Sequence, residues 1–259
     1  FMHLLNRITN KMKLPTKRFS VVPLMIVILT GDLILQPRNQ DRVNAAREKH
    51  QSQIDSLFDS LGVEYPPVKV LITAYKKEQI LQLWVESKDQ AEFLKAREYR
   101  FTAFSGKLGP KRKRGDLQIP EGFYHITRFN PRSQFHLSLR INYPNASDKI
   151  LGSRRDPGGD ILIHGEAVTI GCIPIGNEAI EELYLICLDT KNQGQNKIPV
   201  YIFPCQMDSA NMDTLKLIAG EDTGLWSFWQ NLKQGYDIFM KNKKILNFHV
   251  NDKGKYVYD

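Results

Sequence analysis

Two residues of the stretch DILIHGEAVTIGCIPIG (160–176) have side chains that can do covalent chemistry together. His164 and Cys172 stand eight positions apart, each beside a glycine and among apolar neighbours. A cysteine attacks as its thiolate, and because a free thiol has a pKa of about 8.5, a nearby imidazole or helix N-terminus must help to remove the proton. The spacing alone allows a base with its nucleophile, and equally a core histidine and a core cysteine beside a turn.

Gly171 allows a tight turn before the cysteine, because glycine reaches positive φ without steric cost. In such a turn, we expect the backbone N–H groups of Gly171 and Cys172 to face a developing oxyanion. No second Cys or His stands nearby at a ligand spacing, so the sequence predicts no metal site. Cys187 is predicted to fill a core position, and a disulfide to Cys205 is neither required nor excluded.

The elements that must position these residues are mostly strands. Several segments rich in β-branched and aromatic residues come before any long helix, which predicts a mostly antiparallel β domain. These segments are KVLITAY (69–75), QILQLWVE (79–86), YRFTAFS (99–105), GFYHITRF (122–129), FHLSLRINY (135–143), DILIHG (160–165) and, later, KIPVYIFP (197–204).

Helical patterns flank and follow the strands. Residues 37–65 predict a spacer helix that docks on the main domain and ends near Gly62 and Pro66-Pro67. NEAIEELYLICLD predicts a helix with Asn177 as N-cap and one apolar face. Residues 209–259 predict a helical extension. The fold class is therefore mostly β (α+β), with helices at both ends.

Composition is ordinary for a folded protein, but the charge is not balanced. The chain has 259 residues, 42% of them hydrophobic and 25% charged, and a formal net charge of +8. This excess suits contact with an anionic polymer: nucleic acid, an acidic membrane surface or cell-wall material. The loop GKLGPKRKRGD (106–116) is the candidate for holding substrate carboxylates or glycan-associated anions, through the run Lys111-Arg112-Lys113-Arg114 together with Lys107. Such runs are often only a solvated face.

The N-terminal segment 1–36 predicts export. Basic residues precede the apolar run VVPLMIVIL (21–29), which is typical of a secretory signal or a signal-anchor, with membrane anchoring through residues 21–35. The run is short for a spanning helix, which needs ~20 apolar residues, and a buried helix or strand is the other interpretation. An export signal disfavours a nucleic-acid partner.

"IHG" followed by "TIGC" resembles the active-site signature of the L,D-transpeptidases, the YkuD-type catalytic domain. The blocks FSGKLGPKRKRGDLQIPEGFYHI (104–126), NPRSQFHLSLRINYPNASD (130–148) and HGEAVTIGCIPIGNEAIEELY (164–184) resemble its YafK-like branch, so that the resemblance covers about residues 66–208. It implies a β-sandwich or barrel-like catalytic domain in that segment.

By this resemblance, Cys172 is the nucleophile and His164 the general base. Thr169 and Gly171 match the Ser/Thr and Gly of the signature. Much of the family carries a second His where this chain has Ile170, and the gap between His and Cys is shorter here. Tyr143 is a further candidate hydroxyl donor, or else a packing residue at a strand end.

The implied reaction is acyl transfer on peptidoglycan stem peptides through a thioacyl enzyme, with no cofactor and no metal. The alternatives are a hydrolase on the same scaffold that cuts peptidoglycan peptide or protein–peptidoglycan links, and a non-catalytic wall-binding protein. A papain-like protease is disfavoured, because its Cys precedes its His. The oligomeric state is not predicted.

Overall fold

The computed structural model describes residues 39–88 and 91–259, and the predicted export segment lies outside these residues. The strands are β1 (Lys69–Tyr75), β2 (Ile80–Glu86), β3 (Leu94–Arg100), β4 (Gly122–Asn130), β5 (Ser138–Ile141), β6 (Leu162–His164), β7 (Ile173–Pro174), β8 (Pro199–Phe203), β9 (Phe248–Val250) and β10 (Tyr256–Tyr258). The helices are α1 (Asn39–Leu61), α2 (Ala146–Leu151), α3 (Asn177–Asn192), α4 (Ser209–Ala219) and α5 (Thr223–Asn242). Among the described helices, none has the length and apolar character needed to cross a membrane.

Eight strands form one curled sheet in the order β3-β2-β1-β8-β4-β5-β6-β7. The pairs β1–β8 and β6–β7 are parallel, and the other neighbours are antiparallel. With helices at both ends, this confirms the predicted mostly β class.

The central strands β1 and β8 are mostly apolar because both of their faces are covered. In β1, Val70 and Ile72 belong to the core that contains α1 and α3, whereas Leu71 and Tyr75 belong to the core that contains α4 and α5. Successive strand residues point to opposite faces, so the side chains of KVLITAY pack alternately into the two cores.

Two expectations about these elements were wrong. The third strand runs over Leu94–Arg100 rather than 99–105, because β3 is an edge strand whose half-exposed LKAREYR lacks an apolar alternation. Asn177 is the first residue of α3, and Gly176 is the N-cap. The Asn177 side chain instead accepts a hydrogen bond from the Glu166 backbone N–H at 2.8 Å and so closes the loop before the helix.

The C-terminal region is helical only in part. After α4 and α5, the chain forms an antiparallel hairpin of β9 and β10, which the predicted helical extension does not include. In the hairpin, Tyr256 packs edge-on against Phe123 of β4 with ring centroids 4.7 Å apart. The hairpin therefore fixes the chain end to the central sheet.

Candidate active site

The parallel pair β6–β7 sets the relative position of the two chemically competent residues. Its register pairs Ile163 with Ile173 and His164 with Pro174. Extended by one residue, this register places Cys172 level with Leu162. Because residues i and i+2 share a face of a strand, a regular extension of this ladder predicts Cys172 and His164 on the same face, with Cα atoms roughly 8 Å apart by standard strand spacing.

His164 is held in one tautomer by its own backbone. Its Nδ1 lies 2.5 Å from the carbonyl oxygen of Gly165, and since a carbonyl only accepts, Nδ1 carries the proton and Nε2 keeps its lone pair. The side chain is only 1% exposed and packs on the Phe135 ring, with centroids 4.5 Å apart. Burial lowers the pKa of His164, against the opposing effects of the Gly165 carbonyl and of Glu166.

Cys172 is partly exposed and carries a neutral thiol in this setting. Burial raises its pKa, the Leu162 backbone N–H lowers it, and the charges of Asp160 and Lys111 raise and lower it respectively. The thiol donates to the Asp160 carbonyl oxygen at 3.7 Å. Transfer of its proton to His164 therefore requires the sulfur to turn away from Asp160.

Thr169 closes the turn that presents the cysteine. Its hydroxyl donates to the Cys172 carbonyl at 2.8 Å and accepts from the Gly171 N–H at 3.1 Å. The second bond engages the amide that we expected to face an oxyanion, so in this conformation Gly171 shapes the loop instead. Its φ is +130°, and a Cβ there would lie 2.8 Å from the Gln118 carbonyl oxygen, which explains the requirement for glycine.

Cys172 opens onto a cleft of about 320 Å³. One wall comes from the basic loop, another from the segment before β6, and a third from the TIGC turn; the lining includes Lys111, Arg114, Leu117, Phe135, Asp160 and Ile170. Ile170 stands where much of the family carries a second His, and its side chain is exposed, with 77% of the residue accessible. It therefore contributes an apolar lip beside the sulfur rather than a second base.

The structure places the other predicted substrate contacts away from this cleft. Lys107 and Arg112 line a separate cavity of about 420 Å³ between the basic loop and the start of α5. The Arg112 guanidinium lies over the Phe228 ring, 4.8 Å from its centroid. Tyr143 is buried, and its hydroxyl donates to the Pro157 carbonyl at 2.8 Å. In this position Tyr143 ties the two loops beside the cleft together, and its role as a substrate donor stays a prediction.

Sequence reasoning missed Phe135 and Asp160, and it named Lys111 only as one cation of the basic loop. Lys111 is buried, and its ammonium donates to Asp116 at 2.6 Å while lowering the pKa of Cys172. Asp160 has a positive φ of 54°, unusual for a non-glycine residue, and this turns its carbonyl toward the thiol. Only Lys111 had a signal in the sequence, through the basic run, and nothing there distinguished it from its neighbours.

One cluster in the described part of the chain has the composition of a metal site. Donor atoms of His50, Glu178 and Glu181 lie within 4.8 Å of one another. However, the Lys49 ammonium already contacts both carboxylates. His50 Nε2 lies 2.7 Å from Glu181, and its buried Nδ1 lacks the partner that a metal-bound histidine usually has. These contacts fit an ion-pair cluster that docks α1 on α3.

Comparisons with known proteins identify the family of the segment that holds these residues. The family model for the L,D-transpeptidase catalytic domain, YkuD, matches residues 69–202. The protein named "Putative L,D-transpeptidase YafK" in Escherichia coli strains K12 and O157:H7 is 36% identical over 177 residues, 68% of this chain and 68% of the relative.

Solved structures with some similarity include the helical cell shape determining protein Pgp2 of Campylobacter jejuni, with a TM-score of 0.42 and 21% identity over 76% of this chain and 80% of that one. Another is Bd1075 of Bdellovibrio bacteriovorus, with a TM-score of 0.39 and 19% identity over 74% and 76%. The family match covers more than half of the chain, from β1 almost to the end of β8, and includes both His164 and Cys172. The chain therefore belongs to the L,D-transpeptidase catalytic domain (YkuD) family.

Proposed function

We propose that this protein is a cysteine-dependent acyl transferase that acts on peptidoglycan stem peptides. Membership of the L,D-transpeptidase family supports peptidoglycan-modifying activity. The observation that supports the finer proposal is the β6–β7 ladder, which includes His164 and begins one residue after Cys172, the residue that lines an open cleft.

The reaction divides into two acyl transfers. The Cys172 sulfur attacks the carbonyl of the L-centred third residue of the stem peptide, and His164 Nε2 takes the thiol proton. The tetrahedral intermediate collapses to a thioester as His164 returns that proton to the departing amine of the terminal D-alanine. An amine of a second stem peptide, or water, then attacks the thioester and releases Cys172.

Electrostatics favours a neutral resting pair over a preformed thiolate–imidazolium pair. Burial raises the pKa of Cys172 and lowers the pKa of His164, so both neutral forms are preferred. The proton then moves during attack rather than before it. For the oxyanion, we propose the Cys172 N–H as the backbone donor, because the Gly171 N–H is engaged by Thr169.

The cavities on the two sides of the basic loop suggest how a branched peptide is held. Lys111 and Arg114 border the Cys172 cleft, and Lys107 and Arg112 border the neighbouring cavity. Stem peptides carry free carboxylates, which cations bind favourably. We propose that these residues hold carboxylates of the two peptides, and that the protein works in the cell envelope, where such peptides occur.

Incubation with defined muropeptides, followed by mass analysis of the products, tests the proposal. A cross-linked product indicates transpeptidation, a tripeptide indicates carboxypeptidase action, and cleavage of a linked substrate indicates hydrolysis. Cys172→Ala should abolish all of these while the circular dichroism spectrum is unchanged, and Cys187→Ala should retain them. Activity that survives Cys172→Ala would overturn the mechanism, and binding without turnover in the wild type would indicate a wall-binding protein.

A further inference from the structure

Helix α1 lies before the family-matched segment, yet it makes hydrogen bonds to a loop of the catalytic region, residues 133–136. Arg42 Nη1 donates to the backbone carbonyls of Ser133 and His136, at 2.9 and 2.8 Å. A second link runs through Glu181 of α3, whose carboxylate lies 2.7 Å from His50 Nε2 of α1 and 2.5 Å from His136 Nε2. The 133–136 loop is thus held through its backbone and through a side chain.

That loop carries Phe135, which contacts the predicted base in two ways. Its ring packs on the His164 imidazole, with centroids 4.5 Å apart and planes tilted by 34°. Its carbonyl accepts from the Gly165 N–H at 3.1 Å. Since the Gly165 carbonyl binds His164 Nδ1, Phe135 contacts the face of the imidazole and also holds the glycine whose carbonyl fixes its tautomer.

The contacts from α1 and α3 stabilise an unusual backbone conformation in the 133–136 loop. His136 has a φ of +71°, in the left-handed region that non-glycine residues rarely occupy. Such a conformation persists where surrounding contacts fix it. Here the contacts are Arg42 on the His136 carbonyl and Glu181 on its ring, both of which depend on the docked α1–α3 pair.

We propose that α1 is a positioning element of the active site, in which Arg42 acts through the 133–136 loop to set the orientation of the His164 imidazole. The inference rests on the proposed function only in giving His164 a part in the reaction; the contacts themselves do not depend on it. Arg42 is a positioning residue, since it touches neither the cleft nor the sulfur.

Arg42→Met tests the proposal, with Arg47→Met as the matched control on the same helix. Arg47 makes a bidentate contact with Asp189 of α3, at 2.6 and 2.8 Å. Its loss removes one of the several α1–α3 contacts and none of the contacts to the 133–136 loop. The readouts are the titration of His164 by NMR of the full chain, assigned with His164→Gln, and the rate of Cys172 alkylation by iodoacetamide as a function of pH.

In Arg42→Met, withdrawal of Phe135 exposes the imidazole, so the pKa of His164 should rise toward its ordinary value of about 6.5. Glu166, whose charge already acts in that direction, is present in both variants. Alkylation of Cys172 at neutral pH should fall by about tenfold, because misplacement of a catalytic group by about 1 Å has a large kinetic cost. Arg47→Met should stay within about twofold of wild type.

Phe135→Leu provides a second test that keeps apolar volume but removes the ring face, and it should change the same two readouts. The proposal is overturned if Arg42→Met folds and leaves both readouts unchanged, or if Arg47→Met changes them equally. A protein that turns over no muropeptide but shows the Arg42 effect would refute the proposed function alone.

Discussion

At the scale of single residues, the chain gives its three cysteines different environments. Cys172 borders an open cleft, whereas Cys187 and Cys205 are 0% and 1% exposed. Burial also raises the pKa of Cys205 to about 12 and that of Cys187 further still. Reactivity requires access as well as removal of the thiol proton, and of the three thiols only that of Cys172 is accessible.

We therefore expect a carbapenem or iodoacetamide to modify Cys172 alone in the folded protein. The adduct can be located by intact-mass measurement and peptide mapping. Denatured protein is the control, because all three thiols should then react with iodoacetamide. An adduct on Cys187 or Cys205 under native conditions would contradict the assignment of the nucleophile.

The pH dependence of this modification follows from the lowered pKa of His164. The proposed base would act as the neutral imidazole, and a lowered pKa keeps His164 neutral at a pH below its ordinary value of about 6.5. Acylation should therefore persist at pH 6 and decline only as the pH falls further. His164→Ala should lower the rate at pH 7 by about 10²-fold or more, with recovery at alkaline pH as the thiolate forms. A modification rate that already declines as the pH falls from 7.5 to 6.5 would contradict a His164 whose pKa is lowered by burial.

The sequence predicted these two residues because they lie eight positions apart within one recognisable motif. It did not predict Phe135, whose contact with His164 depends on the pairing of β5 with β6. It also did not separate Lys111 from Arg112. Lys111 borders the Cys172 cleft, whereas Arg112 borders the neighbouring cavity. Which cavity each side chain reaches depends on the path of the loop between the sheet and α5, which the sequence does not show.

At the scale of elements, the turn before the cysteine depends on one glycine. Gly171→Ala should lower stability by about 1–3 kcal/mol, because it adds a left-handed φ to a contact of 2.8 Å with the Gln118 carbonyl. Cys172 alkylation should slow as the turn rearranges. Thermal denaturation and alkylation kinetics measure the two effects.

Gly159→Ala is the matched control, since a Cβ at that position of the same cleft meets nothing within 4 Å. It should change stability by less than about 0.5 kcal/mol. Equal losses in the two variants would show that the cleft tolerates no added methyl group, and would remove the special role of Gly171.

Prediction of elements was most accurate where burial dictates the residue types. The central strands β1 and β8 are apolar on both faces, and their patterns were recognised to within two residues. At the edge of the sheet, β3 is partly solvated and reads as a charged segment, which explains its misplacement. The hairpin of β9 and β10 was missed because each strand has only three residues.

At the scale of the whole molecule, a buried ion pair joins the C-terminal region to the catalytic one. The Lys76 ammonium and the Glu121 carboxylate, both 0% exposed, lie 2.8 Å apart. Lys76 also donates to the Gly109 and Ile119 carbonyls, and Glu121 accepts from the Gly109 N–H and from Trp229 of α5. The end of β1, the basic loop and α5 therefore meet at one carboxylate.

Glu121→Gln should lower the free energy of unfolding by about 3–5 kcal/mol, because it leaves the Lys76 charge buried without its counter-charge. Chemical denaturation measures this change. The double variant Lys76→Met, Glu121→Gln should recover part of the loss, since it removes the orphaned charge. Glu86→Gln, which breaks the Lys69–Glu86 pair between β1 and β2, is the control and should cost less than about 1 kcal/mol, because Lys69 is 43% exposed. Similar losses in both single variants would contradict the special role of the buried pair.

The position of β8 has a consequence for how the chain reaches this state. It lies between β1 and β4 in the middle of the sheet, although it is the last of the eight strands to be synthesised. Without β8, the strand order connects the other seven strands only as two separate groups of three and four members, each with an unpaired inner edge. Assembly across such sequence distances is intrinsically slow. The inner edges of β1 and β4 therefore have no strand partner until almost all of the catalytic segment has been synthesised. Unpaired edges expose backbone hydrogen-bonding groups that can pair with other chains, so we expect a chaperone to protect the nascent chain most at that late stage.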